Sequence, residues 1–222
     1  PSMDSPAWQL RTERGASIHL IDRNELNDIE PAVGPNYGGA VMLSGQARAL
    51  SPGRLCKALA KQATQFGATF KRGAVSALHS NAQGVAEITL GESRILAKHV
   101  VLAAGAWSVR LLEPLGFKVP MAGERGYHLE FTQPGITLNN SVMDPQTKFI
   151  VSSMKDGVRA AGTSEFARLG VDPDYQRAEV LAAHTQYMLP AINTAEVNQW
   201  MGTRPSFPDS LPVIGPLPTA KS

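Results

Sequence analysis

The sequence has little of what several large classes of protein require. Its single cysteine, Cys56, excludes an internal disulfide and a cysteine-based metal site. Its five histidines lie far apart, and no two have the spacing of metal ligands. No apolar run approaches the roughly 20 residues that a membrane-spanning helix needs, and no signal peptide opens the sequence. We therefore expect a cytoplasmic protein without a metal site.

Concentrated charge and the common catalytic motifs are also lacking. Lys and Arg number 21 against 19 Asp and Glu, which gives a net charge of +2, and they are scattered along the chain. A nucleic-acid-binding surface needs a basic patch, so we expect no nucleic-acid partner. The sequence contains neither G-x-G-x-x-G nor G-K-[ST], and neither G-x-S-x-G nor H-E-x-x-H. These absences argue against a hydrolase and against a zinc enzyme.

One helix is clearly indicated near the middle of the chain. Ser51 and Pro52 form a helix start, and Gly67 follows as a stop signal. Between them, apolar side chains recur at helical spacing, and we expect this stripe to be buried. The stripe consists of Leu55, Leu59, Ala63 and Phe66.

The segments after this helix predict a mixed α/β (α+β) fold. Short strands within residues 74–96, separated by turns that include residues 81–84, form a three-stranded meander. The apolar run of residues 100–104 predicts a central strand covered on both faces, and a short helix follows it over residues 106–112.

The second half of the chain predicts a more open, antiparallel sheet followed by a helix. Asp172 and Pro173 are the predicted helix start, and Pro190 terminates the helix. The predicted strands of this sheet are residues 127–131, 149–153 and 158–162.

Arg204 is the candidate binding residue that the sequence itself singles out. Gly202 frees the backbone before it, and Pro205 pushes Arg204 toward an extended conformation. An arginine held in this way presents a rigid fork of donors that suits a planar carboxylate. The alternative is an ordinary surface arginine that pairs with the nearby Asp209.

Four segments, in the expected order, resemble one family. Residues 98–108 are similar to the second flavin-contacting strand of the D-amino-acid oxidase/dehydrogenase superfamily, which includes glycine oxidase and sarcosine oxidase. Residues 43–52 resemble the strand that leads to that family's second FAD-domain helix, and residues 120–131 resemble the beginning of its substrate-domain sheet. Residues 200–215 resemble its W-x-G-x-R-P block. The resemblance implies FAD as cofactor and oxidation of the Cα–N bond of an amino acid or related amine.

The resemblance also implies roles for single residues. Arg204 matches the arginine that binds the substrate carboxylate. Tyr127 and His128 match a substrate-domain strand over the flavin, where residue types vary and where a core tyrosine and a structural histidine are the alternative. The residues that match cofactor contacts are Val75, Ala104, Gly105 and Trp107.

The resemblance further predicts the organisation of the chain. Residues 1–50 lead into the substrate domain, 51–113 form part of the FAD-binding domain, 114–204 form the substrate domain and 205–222 return toward the FAD-binding domain. The dinucleotide fingerprint that opens family members and their closing Gly-rich stretch are both missing. We therefore expect an internal part of a longer flavoenzyme that by itself binds FAD weakly or not at all.

Two alternative functions stay open at this point. The first is flavin-dependent oxidation of a hydroxy acid or of glycerol phosphate, and the second is a non-catalytic ligand-binding module without the cofactor. The electron acceptor is open too, because a quinone acceptor would place the protein on the inner face of the cytoplasmic membrane, whereas oxygen would not. The sequence predicts no oligomeric state.

Overall fold

A computed structural model describes residues 6–80 and 85–217, which divide into two compact units. The first unit comprises the chain up to Leu59 with residues 127–163 and 174–201, and the second comprises residues 60–126 and 164–173 and the chain from Gly202. The helices and strands are, in chain order, α1 (Pro6–Glu13), β1 (Ile18–Asp22), α2 (Arg23–Ile29), β2 (Gly39–Leu43), α3 (Pro52–Gln65), β3 (Val75–Ser80), β4 (Ala86–Leu90), β5 (Ser93–Ala97), α4 (Ser108–Leu112), β6 (Ala122–Phe131), β7 (Val142–Asp144), β8 (Phe149–Met154), β9 (Gly157–Phe166), α5 (Gln176–Met188) and β10 (Val197–Ser206).

The strands form three sheets. Strands β1 and β2 pair antiparallel, and β3, β4 and β5 form the predicted antiparallel meander. The third sheet has the order β10-β6-β9-β8-β7, and its β7–β8 and β8–β9 pairs are antiparallel. The mixed α/β class with antiparallel sheets is thus confirmed. The turn predicted at residues 81–84 lies outside the described residues.

The core of the first unit follows from the period-two alternation of strand β6. Tyr127, Leu129 and Phe131 are buried, whereas the side chains between them are partly exposed. Successive side chains of a strand point to opposite faces, so one face of β6 is apolar. Leu181 and Met188 of α5 belong to the same buried cluster.

Two local features hold loops of the first unit in place. The buried carboxylate of Glu30 accepts hydrogen bonds from the backbone N–H groups of Asn139 and Asn140 and from the Asn140 side chain. Gly157, the first residue of β9, has φ +152°, and a Cβ there would collide with the carbonyl oxygen of Phe131. Glycine is favoured here for two reasons. It adopts a positive φ at low cost, and it has no Cβ to collide with the nearby backbone of Phe131.

The stripe of α3 is a correction to the sequence analysis. The helix forms where predicted, but Leu55, Leu59 and Phe66 are all exposed, and α3 buries no residue. Helical spacing predicts which side chains share a face, but it does not predict whether another element covers that face. The apolar stripe of α3 is therefore present without a covering element in the described part of the chain.

The strand predicted at residues 100–104 is wrong. This segment has no regular secondary structure, and Val101 is 89% exposed. A strand is stable only where neighbours pair with its backbone groups, and within residues 6–80 and 85–217 none of the strands pairs with this segment. The helical turn predicted after it does form, as a 3-10 turn over Gly105–Trp107 that continues into α4.

Helix α5 begins later than its predicted start at Asp172. Its first residue is Gln176, whose backbone N–H donates to the side chain of Asp174 (3.2 Å). Its end at Met188, two residues before Pro190, agrees with the prediction.

Candidate functional site

Arg204 lies in a compact polar cluster within the second unit. Its Nη2 donates to Oε1 of Glu124 (3.0 Å) and to Oγ of Ser164 (3.1 Å). The second oxygen of that carboxylate, Oε2, accepts a hydrogen bond from Oγ of Ser206 (2.6 Å). We call Glu124, Ser164, Arg204 and Ser206 the Arg204 cluster.

Strand order explains why these four side chains meet. Arg204 and Ser206 are two residues apart on β10, so both point to the same face of that strand. Glu124 is on β6, which neighbours β10, and Ser164 is on β9, which neighbours β6. Pro205 fits this arrangement because β10 is at the edge of the sheet, where a missing N–H costs no ladder hydrogen bond.

A glycine makes room for the arginine. A Cβ at Gly126 would lie 3.2 Å from Nη2 of Arg204, which is closer than most real Cβ contacts. A side chain at this position would require the guanidinium to shift by a few tenths of an ångström. Gly126 therefore leaves room for Arg204 in its observed position.

Nη2 of the Arg204 guanidinium is anchored, whereas Nη1 and Nε are open. The side chain is 58% exposed, and the described part of the chain supplies no hydrogen-bond partner to Nη1 or Nε. The extended conformation expected for Arg204 is confirmed by its place in β10. In the described part of the chain, the ion-pair partner of Arg204 is Glu124 and not Asp209, whose carboxylate accepts the backbone N–H of Leu211.

Glu124 is held as a carboxylate. The hydrogen bond from Ser206 lowers the pKa of Glu124 below its ordinary value, and Ser164 and the positive charge of Arg204 act in the same direction. Burial has the opposite effect but is outweighed. At neutral pH, the Arg204 cluster therefore contains one full positive and one full negative charge.

Arg125, the residue after Glu124, has a different task. Its side chain is 4% exposed and lies 3.6 Å from the carboxylate of Glu165. The same guanidinium donates to the backbone carbonyls of Asp172 (2.9 Å), Arg168 (3.3 Å) and Val171. Arg125 therefore fixes the loop over residues 168–172, and its buried guanidinium is not available to bind a ligand.

Tyr127 and His128 lie in the first unit, in different surroundings. Tyr127 is buried in the core, and its hydroxyl accepts the backbone N–H of Asp174 (3.1 Å). His128 stacks on Trp200, with ring centroids 4.7 Å apart and an interplanar angle of 21°. Burial, assisted by the positive charge of Arg159, lowers the pKa of His128 to about 4. The imidazole is therefore neutral at neutral pH.

The residues proposed as cofactor contacts all lie in the second unit. Val75, Ala104 and Trp107 are exposed, and α4 contacts β3, the strand that begins with Val75. Gly105 has φ +56°, and no atom lies within 4 Å of the position where a Cβ would be. Small residues with accessible backbone groups fit the close approach of a dinucleotide, so these positions are compatible with FAD.

The second unit also contains a cleft of about 630 Å³. Apolar side chains such as Phe166 and Met121 line it, together with Arg110 and Arg168. None of the Arg204 cluster lines this cleft, and it is widely open. The hydrogen-bonded geometry of Arg204 is therefore the stronger indication of a binding site.

The described residues offer neither a metal-binding group nor a membrane-spanning helix. Residues 6–80 and 85–217 hold no group of three or more His, Cys, Asp or Glu placed to bind a metal ion. Among the helices of the same ranges, none is both long and apolar enough to cross a membrane.

Sequence reasoning assigned no role to Glu124, Ser164 or Ser206. Ser206 could have been found, because a strand through Arg204 places the residue two positions later on the same face. Glu124 and Ser164 lie 80 and 40 positions away from Arg204 in the sequence. Nothing in the sequence indicates that their strands are neighbours.

Comparisons with known proteins agree on one family. The family model described as "FAD dependent oxidoreductase" matches residues 2–221. A D-amino-acid oxidase of Bradyrhizobium diazoefficiens is 33% identical over 212 residues, which cover 94% of this chain and 50% of that protein. A glycine oxidase of Pseudomonas putida is 28% identical over 215 residues, which cover 96% of this chain and 58% of that protein. The chain thus spans about half the length of the curated relatives that it matches.

Solved structures show the same fold. The crystal structure of a glycine oxidase from Geobacillus kaustophilus superposes with a TM-score of 0.82 at 22% identity, over 96% of this chain and 58% of that chain. The structure of an L-proline dehydrogenase from P. horikoshii gives a TM-score of 0.78 at 20% identity, over 95% of this chain and 58% of that one. At such identities, the likeness concerns the fold alone.

Proposed function

The chain belongs to the family of FAD-dependent oxidoreductases, as its four resembling segments predicted, and on that premise we propose that the protein oxidises the Cα–N bond of an amino acid or related amine. In this proposal, Arg204 binds the substrate carboxylate. The observation that carries the proposal is an exposed guanidinium whose Nη2 is anchored on Glu124 and whose Nη1 and Nε are open.

The hydrogen bonds of Nη2 matter because they hold the Arg204 side chain in place before a ligand binds. Nη2 is already committed to Glu124 and Ser164, so a carboxylate that binds at Nη1 or Nε need not immobilise a free side chain. A hydrogen bond from an N–H of this fixed, planar guanidinium gives the carboxylate a defined direction as well as a position. Arg204 would thereby orient the Cα of the substrate, a contribution that a point charge cannot make.

The chemistry divides between the cofactor and this chain. Bound FAD would supply the hydride acceptor for oxidation of the substrate at Cα, which would convert the amine to an imine. The positions that would hold it are Val75, Ala104, Gly105 and Trp107, chiefly through their backbone groups. The substrate amine reacts in its neutral form and releases its proton to solvent, so the reaction requires no acid–base pair from this chain. For Tyr127 and His128, a role over the flavin stays a prediction.

Substitution of Arg204 tests the proposal. The assay uses the flavin-loaded protein expressed from its complete natural reading frame, with D-amino acids, glycine, N-methyl amines, hydroxy acids and glycerol phosphate as substrates. We expect Arg204→Lys to raise KM at least about tenfold for amino acids, because an ammonium cannot keep the contact to Glu124 and at the same time present the fixed, planar donors of a guanidinium. Following the same turnovers by oxygen uptake and by dye reduction distinguishes oxygen from a quinone as acceptor.

The matched control is Arg94→Lys. Arg94 is also a surface arginine of the second unit with a carboxylate partner, Glu87, at 3.3 Å. We expect this variant to retain the wild-type KM. If amine turnover survives Arg204→Ala within about threefold, the assignment of Arg204 as the carboxylate-binding residue is wrong.

A further inference from the structure

We propose that Glu124 is a positioning and selectivity residue that restricts the Arg204 site to ligands with a single carboxylate. The proposal rests on the proposed carboxylate-binding role of Arg204 and adds a restriction to it. The structural basis is the Glu124 carboxylate, which already accepts a hydrogen bond from Nη2 of Arg204 and is itself fixed by Ser206.

Both oxygens of Glu124 are held. Oε1 accepts from Nη2 of Arg204 at 3.0 Å, and Oε2 accepts from Oγ of Ser206 at 2.6 Å. Ser164, which also accepts from Nη2 of Arg204, closes the cluster on the β9 side. Hydrogen bonds at both oxygens hold the Glu124 carboxylate beside Nη2, so a ligand reaches the open N–H groups of Nη1 and Nε.

The charge balance of the cluster gives selectivity. Before ligand binding, the charges of Arg204 and Glu124 cancel. A ligand with one carboxylate places its charge against the open N–H groups of Arg204 and has no second charge to bring near Glu124. A second carboxylate or a phosphate on the same small ligand would meet the negative charge of Glu124 without a free cation to offset it.

The experiment compares two ligands that differ by one carboxylate. Propionate and succinate are titrated into the flavin-loaded protein, expressed from its complete natural reading frame, and Kd is measured by calorimetry and by the change in flavin absorbance. Glu124→Gln keeps the size and a hydrogen-bond acceptor but removes the charge. We expect it to shift the ratio of the two Kd values toward succinate by about three- to tenfold. Glu87→Gln removes the charge of another paired carboxylate in the second unit and should leave the ratio unchanged.

The outcomes separate this proposal from the proposed function. A ratio that stays within about twofold of wild type in Glu124→Gln, while Arg204→Ala still weakens both ligands, overturns the selectivity role and leaves the proposed function standing. If Arg204→Ala weakens neither ligand, the carboxylate-binding role itself fails.

A second variant keeps the positioning role testable if Glu124→Gln does not fold. Ser206→Ala removes the hydroxyl that fixes Oε2 of Glu124 but leaves both charges in place. We expect weaker propionate binding, by about two- to fivefold, with a nearly unchanged ratio of the two Kd values. Unchanged propionate binding in Ser206→Ala would contradict the positioning role.

Discussion

Replacing Arg125 by methionine should destabilise the protein strongly, although Arg125 is not proposed to touch a ligand. Its guanidinium, which is 4% exposed, donates to three backbone carbonyls and lies 3.6 Å from the carboxylate of Glu165. Methionine keeps much of the side-chain volume but donates no hydrogen bond. The carbonyls of residues 168, 171 and 172 would lose the donor that now satisfies them.

The magnitude follows from these contacts. Each hydrogen bond from a charged donor contributes about 1.5–3 kcal/mol, but water can replace part of it once the guanidinium is gone. Removal of one partner from a buried ion pair costs about 3–5 kcal/mol. We therefore expect Arg125→Met to lower the free energy of unfolding by about 3–5 kcal/mol. Arg125→Lys should cost less, because an ammonium keeps the charge but cannot reach all of the carbonyls.

Denaturant unfolding measures the global loss, and hydrogen exchange shows whether the segment over residues 168–172 loses protection first. Arg94→Met is the matched control, since Arg94 is 75% exposed and pairs with Glu87 at 3.3 Å. An exposed ion pair contributes about 0–1 kcal/mol, so this variant should be close to wild type. If Arg125→Met is no more destabilised than Arg94→Met, the structural role assigned to Arg125 is refuted.

Four further predictions concern the first unit. Because the pKa of His128 is about 4 in the folded protein and 6.5 ordinarily, stability should fall as the pH drops from about 6.5 to about 4. Because the ring is partly exposed, the loss of stability should be small. Denaturant unfolding at each pH should show that wild type loses about 1–2 kcal/mol more than His128→Gln. Trp200→Ala should raise the pKa of His128, measured by NMR titration, because it uncovers the ring. Glu30→Ala should cost about 1.5–3 kcal/mol in the same unfolding assay, since it removes the buried carboxylate that accepts from Asn139 and Asn140; an unchanged midpoint would contradict this. Gly157→Ala should lower the melting temperature far more than Gly135→Ala, which adds its Cβ in open space.

Local patterns predicted much of the secondary structure. Helix α3 begins at Pro52 as expected from its start signal, and the meander and strands β6, β8 and β9 form in the predicted regions. These elements depend on features that a short stretch of chain carries within itself, such as capping, turn residues and the period of apolar side chains. Prediction was least successful at residues 100–104, where a strand needs partners from elsewhere in the fold.

The Arg204 site shows the same division between local and distant information. The sequence alone determined that the backbone at Arg204 is extended, because Pro205 restricts the residue before it, and the family resemblance singled out this arginine. Only the tertiary structure decided its partner. Glu124 rather than Asp209 binds the guanidinium because β6 lies beside β10 in the sheet, although the two residues are 80 positions apart in sequence. Likewise, helical spacing defined the apolar stripe of α3, but its exposure depends on which elements pack there. Local sequence specifies backbone conformation and the face on which a side chain lies, whereas contacts between distant residues depend on strand order and register, which exist only in the folded chain.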